Sequence, residues 1–162
     1  MENKHIIKLD VAIIVGTLTC LVFIFGYVNP KIISPINGFE TTNNSILFSI
    51  EKADVILIDD NPEFTSPEKV YVKDNLVINL KPGTYYWKAE GIVESEVKRL
   101  TINSEVNLKL KNLGENYVIV NAGNTRLDVD IYNGTSLIDS IELDIDEEKE
   151  VSGTKFVGSQ DE

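Results

Sequence analysis

The sequence predicts an all-β fold carried behind one N-terminal membrane helix. Three observations point to it. An 18-residue stretch from Val11 to Val28 carries no charge. No segment after residue 29 sustains a helical apolar period. Apolar runs of period two, broken by turn residues at short intervals, fill the remainder.

The stretch VAIIVGTLTCLVFIFGYV contains eleven Val, Ile, Leu or Phe residues. At ~1.5 Å per residue it reaches ~27 Å, close to the hydrocarbon thickness of a bilayer. A cleaved signal peptide would have a shorter apolar core followed by a small-x-small site. Here the exit is Gly26-Tyr27-Val28-Asn29-Pro30. A lipoprotein cysteine is also disfavoured, because the apolar run continues past Cys20. An uncleaved membrane helix over 11–28 is therefore expected. Lys4 and Lys8 before it, against Lys31 alone just after it, place residues 1–10 in the cytoplasm and the rest outside. Pro30 ends the helix, since it has no N–H to continue the turn.

Composition excludes much chemistry. Residues 29–162 carry 13 Lys/Arg against 24 Asp/Glu, which accounts for the whole net charge of −11. So acidic a surface repels nucleic acid, whose phosphates need basic neutralisation. Cys20 is the one cysteine and His5 the one histidine, and both precede residue 29. The extramembrane part thus has no internal disulfide, no Ser-His-Asp or Cys-His nucleophile set and no His- or Cys-ligated metal. No enzyme activity, catalytic residue, cofactor, resident metal or small-molecule substrate is expected. Twenty Ile, 15 Asn and 13 Lys against 2 Arg suggest an AT-rich prokaryotic genome.

Strands are expected in order along 32–103. An opening strand covers Ile32–Phe39. Ile46, Phe48 and Ile50 alternate with Leu47, Ser49 and Glu51. Val55–Ile58 is apolar on both faces, as in a central, doubly covered strand. Val70–Val72 is short, and Asp74-Asn75 turns into Leu76, Ile78 and Leu80. Pro82-Gly83 turns into Thr84–Glu90, and a last strand runs from Val93 to Asn103 with a bulge between Val97 and Leu100. Seven strands in this span match an immunoglobulin-like sandwich.

Ser34-Pro35-Ile36-Asn37-Gly38, Phe48 and Leu80-Lys81-Pro82-Gly83-Thr84-Tyr85-Tyr86-Trp87 carry a resemblance. Together they resemble a fibronectin type III domain over residues 32–103. The L-x-P-G-T-x-Y stretch is similar to that family's turn into its sixth strand, where a tyrosine hydroxyl bonds back to the corner backbone. The resemblance implies a two-sheet sandwich. The family's inward parity falls here on Lys88 and Glu90, whereas Tyr85, Trp87 and Ala89 are the apolar set. Either a bulge intervenes or Tyr85 takes the corner role. Tyr85 and Trp87 inward is favoured, because burying Lys88 and Glu90 unpaired is costly.

A second small β domain is expected over 104–157. Its strands are Val106–Leu110, Tyr117–Val120, Leu127–Ile131 and Leu137–Leu143, with an edge strand over Glu150–Val157. Asn133-Gly134 reads as the two-residue turn of a hairpin. A core this small with no disulfide is marginal, so the unit either leans on the first domain or is completed by a partner. The tail 158–162 is expected to be disordered.

Two oxygen-rich turns, Asp59/Asp60/Asn61/Glu63 and Asp144/Asp146/Glu147/Glu148, are candidate calcium sites. Neither has EF-hand spacing, and solvated surface turns are the simpler interpretation. Tyr71, Tyr85, Tyr86, Trp87 and Tyr132 could stack on sugar or a protein partner, but strand aromatics are more often core or cross-strand pairs. Trp87 is assigned to the core, and Tyr86 is left open. The expected role is a single-pass, extracytoplasmic binding or structural module, a subunit that contacts another envelope or surface protein. The alternative is an archaeal pilus- or archaellum-associated stator or filament component, whose helix-plus-sandwich plan is similar.

Overall fold

The computed structural model describes residues 3–73, 75–114 and 116–160, so Met1, Glu2, Asp74, Glu115, Asp161 and Glu162 lie outside the described residues. The apolar run forms part of one helix, α1 (Asn3–Val28), longer than the uncharged stretch alone. Its portion Ile6–Val28 is long and apolar enough to cross a membrane, and none of it is buried by the rest of the chain. Thr17 and Thr19 donate to the carbonyls of Ile13, Ile14 and Val15, so their hydroxyls are satisfied within the helix. Only Asn29 and Pro30 separate α1 from the first strand.

Beyond α1, every helix or strand among the described residues is a strand, and the strands gather around two separate cores, as a first and a second unit. The first contains β1 (Lys31–Ser34), β2 (Phe39–Thr41), β3 (Ser45–Glu51), β4 (Val55–Asp59), β5 (Glu68–Tyr71), β6 (Leu76–Asn79), β7 (Gly83–Glu90) and β8 (Lys98–Ile102). They make two sheets, ordered β1-β3-β6 and β2-β8-β7-β4-β5. The sheets meet over one core of Ile46, Phe48, Ile56, Ile58, Trp87, Leu100 and Ile102. Phe48 from one sheet meets Trp87 from the other edge-on, with ring centroids 5.0 Å apart. β4 lies between β5 and β7 and is buried on both faces, as its unbroken apolar run predicted.

Two expected strands are corrected. The opening strand over Ile32–Phe39 is split, because Pro35 supplies no donor to a ladder and the chain changes sheets there. β1 pairs antiparallel with β3, whereas β2 pairs parallel with β8. The strand from Val93 is shortened to β8, and residues 91–97 form a loop rather than a bulged strand. The Ser95 N–H bonds the Ala89 carbonyl and the Ser95 hydroxyl accepts from the Ala89 N–H, which folds the chain back before Lys98.

The second unit contains β9 (Leu108–Asn112), β10 (Tyr117–Asn121), β11 (Leu127–Asn133), β12 (Ser136–Leu143), β13 (Glu148–Val151) and β14 (Lys155–Gln160). Its sheets, β13-β10-β9 and β12-β11-β14, close over Ile119, Leu127, Val129 and Leu143. The expected edge strand over Glu150–Val157 is two strands in different sheets, with the chain crossing at residues 152–154. Of the tail expected to be disordered, Gly158, Ser159 and Gln160 instead belong to β14 and pair with Val129, Asp128 and Leu127 of β11, while Asp161 and Glu162 lie outside the described residues. The hairpin turn is displaced by one residue. Asn133 pairs with Ser136, so the two loop residues are Gly134 and Thr135.

Register gives the first unit a polarity. Lys31 pairs with Glu51, and Val55 with both Glu90 and Tyr71, so these residues share the end where α1 leaves. Thr41 pairs with Ile102, and Ile102 with Gly83, at the opposite end. The second unit follows from that far end.

Candidate functional site

Among the described residues, a hollow with convergent side chains lies at each end of the first unit. The far cleft, of about 560 Å³, is lined by Asn44, Lys81, Pro82, Asn124, Arg126 and Asp144 among others. Its floor is a set of bonds centred on Asn124, whose side chain is nearly buried at 8% exposure. The Asn124 Nδ2 donates to the carbonyls of Thr42 (2.6 Å) and Asn103 (2.8 Å), and its Oδ1 accepts from the Glu105 N–H (2.7 Å). Asn44 Nδ2 donates to the Asn124 carbonyl at 2.8 Å. Asn124 belongs to the β10–β11 turn and Thr42 to the β2–β3 loop, so this one side chain ties the two units together.

The turn that presents it is also fixed from inside. Asn121 is fully buried, donates to the carbonyls of Thr125 and Leu143, and accepts from the Gly123 N–H. Gly123 lies so close to the Glu105 carbonyl that a Cβ there would collide with it. Arg126 closes the cleft wall, with Nε 2.9 Å from Asp144 and a guanidinium nitrogen 3.6 Å from Glu142. This chemistry joins and orients surfaces.

The helix-end hollow, of about 300 Å³, is lined by Tyr27, Val28, Lys52, Ala53, Asp54, Gly91 and Ile92. The Lys52 ammonium lies 4.7 Å from the centre of the Tyr27 ring, a cation–π contact between the β3–β4 turn and the last turn of α1.

The acidic turns serve their own backbones. Asp59, only 6% exposed, accepts from the N–H groups of Asn61 (3.1 Å) and Ser66 (2.9 Å). The Ser66 bond chiefly holds its carboxyl below the ordinary 3.8, against the opposing effect of burial, and Asn61 assists. Asn61 in turn accepts from the Glu63 N–H and donates to the Thr65 hydroxyl. Asp144 is held by Arg126, and Glu147 accepts from the Asp144 N–H at 2.8 Å. Among the described residues, no three His, Cys, Asp or Glu side chains converge into a metal-holding group.

The aromatic candidates disperse. Trp87 is completely buried, and its Nε1 has no hydrogen-bond partner among the described residues. Tyr85 is half-buried against the core and donates its hydroxyl to the Lys81 carbonyl at 3.0 Å. Burial, with the charge of Asp60 adding to it, pushes the Tyr85 phenol above its ordinary 10. Tyr86 is half-buried on the other face of β7. Tyr71 is 73% exposed near the helix end, and Tyr132 lies under the Lys155 ammonium in the second unit. These rings form no single stacking surface.

Sequence reasoning missed Asn121, Asn124 and Ile92. The run Asn121-Ala122-Gly123-Asn124 was legible as a turn, and its two asparagines bracketing a glycine were the available signal for a side-chain-bonded one. No protein-family model, curated protein or solved structure matches the chain.

Proposed function

We propose that this chain is a membrane-anchored structural or binding module: α1 crosses the bilayer with its N-terminus inside, and the two β units outside form a protein-interaction subunit of an envelope complex. The single observation that carries this reading is the direct passage from an apolar, unburied helix into a β unit through two residues, Asn29 and Pro30. The 23-residue stretch Ile6–Val28 is not buried by the rest of the chain, and lipid would cover it. A connection this short sets the first unit on the bilayer surface, a geometry suited to contacts with neighbouring membrane proteins. The order β1-β3-β6 against β2-β8-β7-β4-β5, with the Tyr85 hydroxyl bonded to the Lys81 carbonyl, supports a fibronectin type III or immunoglobulin-like assignment of that unit.

The test is fractionation with external proteolysis. The chain is expected in the membrane fraction, with protease removing residues beyond about Pro30 from outside. After mild detergent extraction it should migrate as an assembly larger than itself. Recovery of a soluble form lacking residues 1–28 from untreated cells overturns the anchor. Migration as an isolated monomer overturns the subunit role.

A further inference from the structure

The most exposed large hydrophobic side chain among the described residues does not lie in the apolar helix. It is Ile92, 83% exposed, at the tip of the β7–β8 loop. An isoleucine this exposed is unremarkable on a mobile tail, but this loop is tightly held. The Ser95 N–H bonds the Ala89 carbonyl at 2.8 Å, the Ala89 N–H bonds the Ser95 hydroxyl at 2.9 Å, and the Gly91 N–H bonds the Val93 carbonyl at 3.2 Å. Lys88 and Glu94 form an ion pair of 2.7 Å across its base. Gly91 packs so closely on the β3–β4 turn that a Cβ would collide with the Lys52 carbonyl oxygen. The backbone therefore presents Ile92 in a fixed place.

That place is beside α1. Ile92 and Gly91 line the same hollow as Tyr27 and Val28, so the loop tip stands level with the last helical turn. Glu94, Ser95, Glu96 and Lys98 line a second hollow with Asn29, Pro30 and Ile32. The loop thus borders the point where the chain leaves the helix. Tyr27, 75% exposed, is an aromatic of the kind that settles at the membrane–water interface. Lys52 over its ring can keep its ammonium among headgroups while its stem lies along apolar surface.

We propose that the β7–β8 loop is a second membrane contact: Ile92 enters the outer interfacial layer of the bilayer beside Tyr27 and fixes the tilt of the first β unit on the lipid surface. The occupant is lipid because the surface is continuous with the helix that lipid already covers. An apolar side chain level with the final turn of such a helix shares its surroundings. This rests on the anchor reading of α1, and the experiment separates the two.

The full chain carrying Cys20→Ala and Ile92→Cys is labelled with an environment-sensitive fluorophore and reconstituted into phosphatidylcholine vesicles. Glu63→Cys, in the loop at the far end, is the aqueous reference. Co-flotation with the vesicles tests the anchor. With flotation established, the probe at 92 should emit to the blue of the probe at 63, resist iodide, and be quenched by lipids brominated near the headgroup. A probe at 92 that floats yet is as open to iodide as that at 63 overturns the loop contact and leaves the anchor standing. Protection from iodide without quenching by brominated lipid assigns the surface to a second copy of the chain and also overturns it. Failure to float overturns the anchor and this contact together.

Discussion

Substituting Asn124 by alanine tests whether the two β units behave as one body. The side chain makes three bonds that alanine cannot, to the Thr42 and Asn103 carbonyls and from the Glu105 N–H. At about 1 kcal/mol net for each bond, the loss is about 3 kcal/mol, eased where water reaches the exposed Thr42 carbonyl. The backbone bonds of Asn124 to Glu105 and from Asn44 survive the change, so the turn itself should persist. Trp87 is the chain's one tryptophan and is buried in the first unit, so its fluorescence follows that unit alone while far-ultraviolet circular dichroism follows both. In residues 29–162 expressed without the helix, the two probes should give one coincident denaturant transition. In Asn124→Ala they should separate, with the dichroism signal losing amplitude first as the smaller second unit opens. Asn124→Asp should be worse at neutral pH, because a carboxylate would face two carbonyl oxygens with no donor to offer. A loss under ~0.5 kcal/mol, within the ordinary range for surface substitutions, together with coincident transitions would refute the clasp.

Four further outcomes are expected. Trp87→Ala should cost about 3–5 kcal/mol in the same denaturation assay, as for other emptied aromatic core sites, since the ring is fully buried against Phe48. Tyr85→Phe keeps the ring and removes only the bond to the Lys81 carbonyl, so equilibrium unfolding should register about 0.5–1.5 kcal/mol. Asp59 has a folded pKa below its unfolded 3.8, so its contribution is fully present above that value and is lost as pH falls through the folded pKa. Melting curves of Asp59→Asn and the unaltered protein should therefore differ at neutral pH and converge in acid, and a gap independent of pH contradicts the assigned role. Millimolar calcium should raise the melting temperature no more than sodium chloride of equal ionic strength, because Asp59 already receives two backbone N–H bonds and Asp144 already faces Arg126. A calcium-specific rise abolished by Asp59→Asn with Asp60→Asn would reverse that assignment.

The elements legible in the sequence were those whose pattern is local. Phe48 and its alternating neighbours, the doubly apolar Val55–Ile58 and the Tyr85/Trp87/Ala89 face all lie as their periodicity requires, because side-chain alternation depends only on the strand itself. Choosing Tyr85 and Trp87 inward over Lys88 and Glu90 needed one further consideration, the cost of buried charge, and it gave the observed burial. What stayed hidden was where a chain changes sheets. Residues 32–39 and 150–157 each look like one strand, yet each divides between two layers, and only the partner strands, distant in sequence, decide that. The order of residues 158–160 is hidden for a related reason. Gly158-Ser159-Gln160 has no strand propensity worth counting, and β11 orders it by offering an open edge. Asn124 was illegible because its three partners come from two other segments, and nothing near it in sequence announces them.

The two units differ in charge. Residues 29–103 hold eight Lys/Arg against eleven Asp/Glu, a net −3, while residues 104–162 hold five against thirteen, a net −8. The nearly balanced unit is the one joined to α1, and the strongly acidic one follows from its far end. A bilayer with anionic headgroups repels the second and tolerates the first, so electrostatics and covalent connection favour the same orientation. If the first unit sits on the membrane as proposed, the Asn124 clasp matters beyond stability, because coupling the two units would hold the acidic charge away from the surface. A partner drawn to residues 104–162 would be recognised by basic side chains, and raising salt should weaken such an encounter through its association rate. A loosened clasp would let the acidic unit swing and blur its presentation without altering its own fold. On the proposed reading that the chain is a subunit of an envelope complex, Asn124→Ala should weaken capture of its partner there more than a surface charge change such as Glu142→Gln. If the two variants lose capture equally, the partner reads charge alone and the joint between the units is incidental to binding.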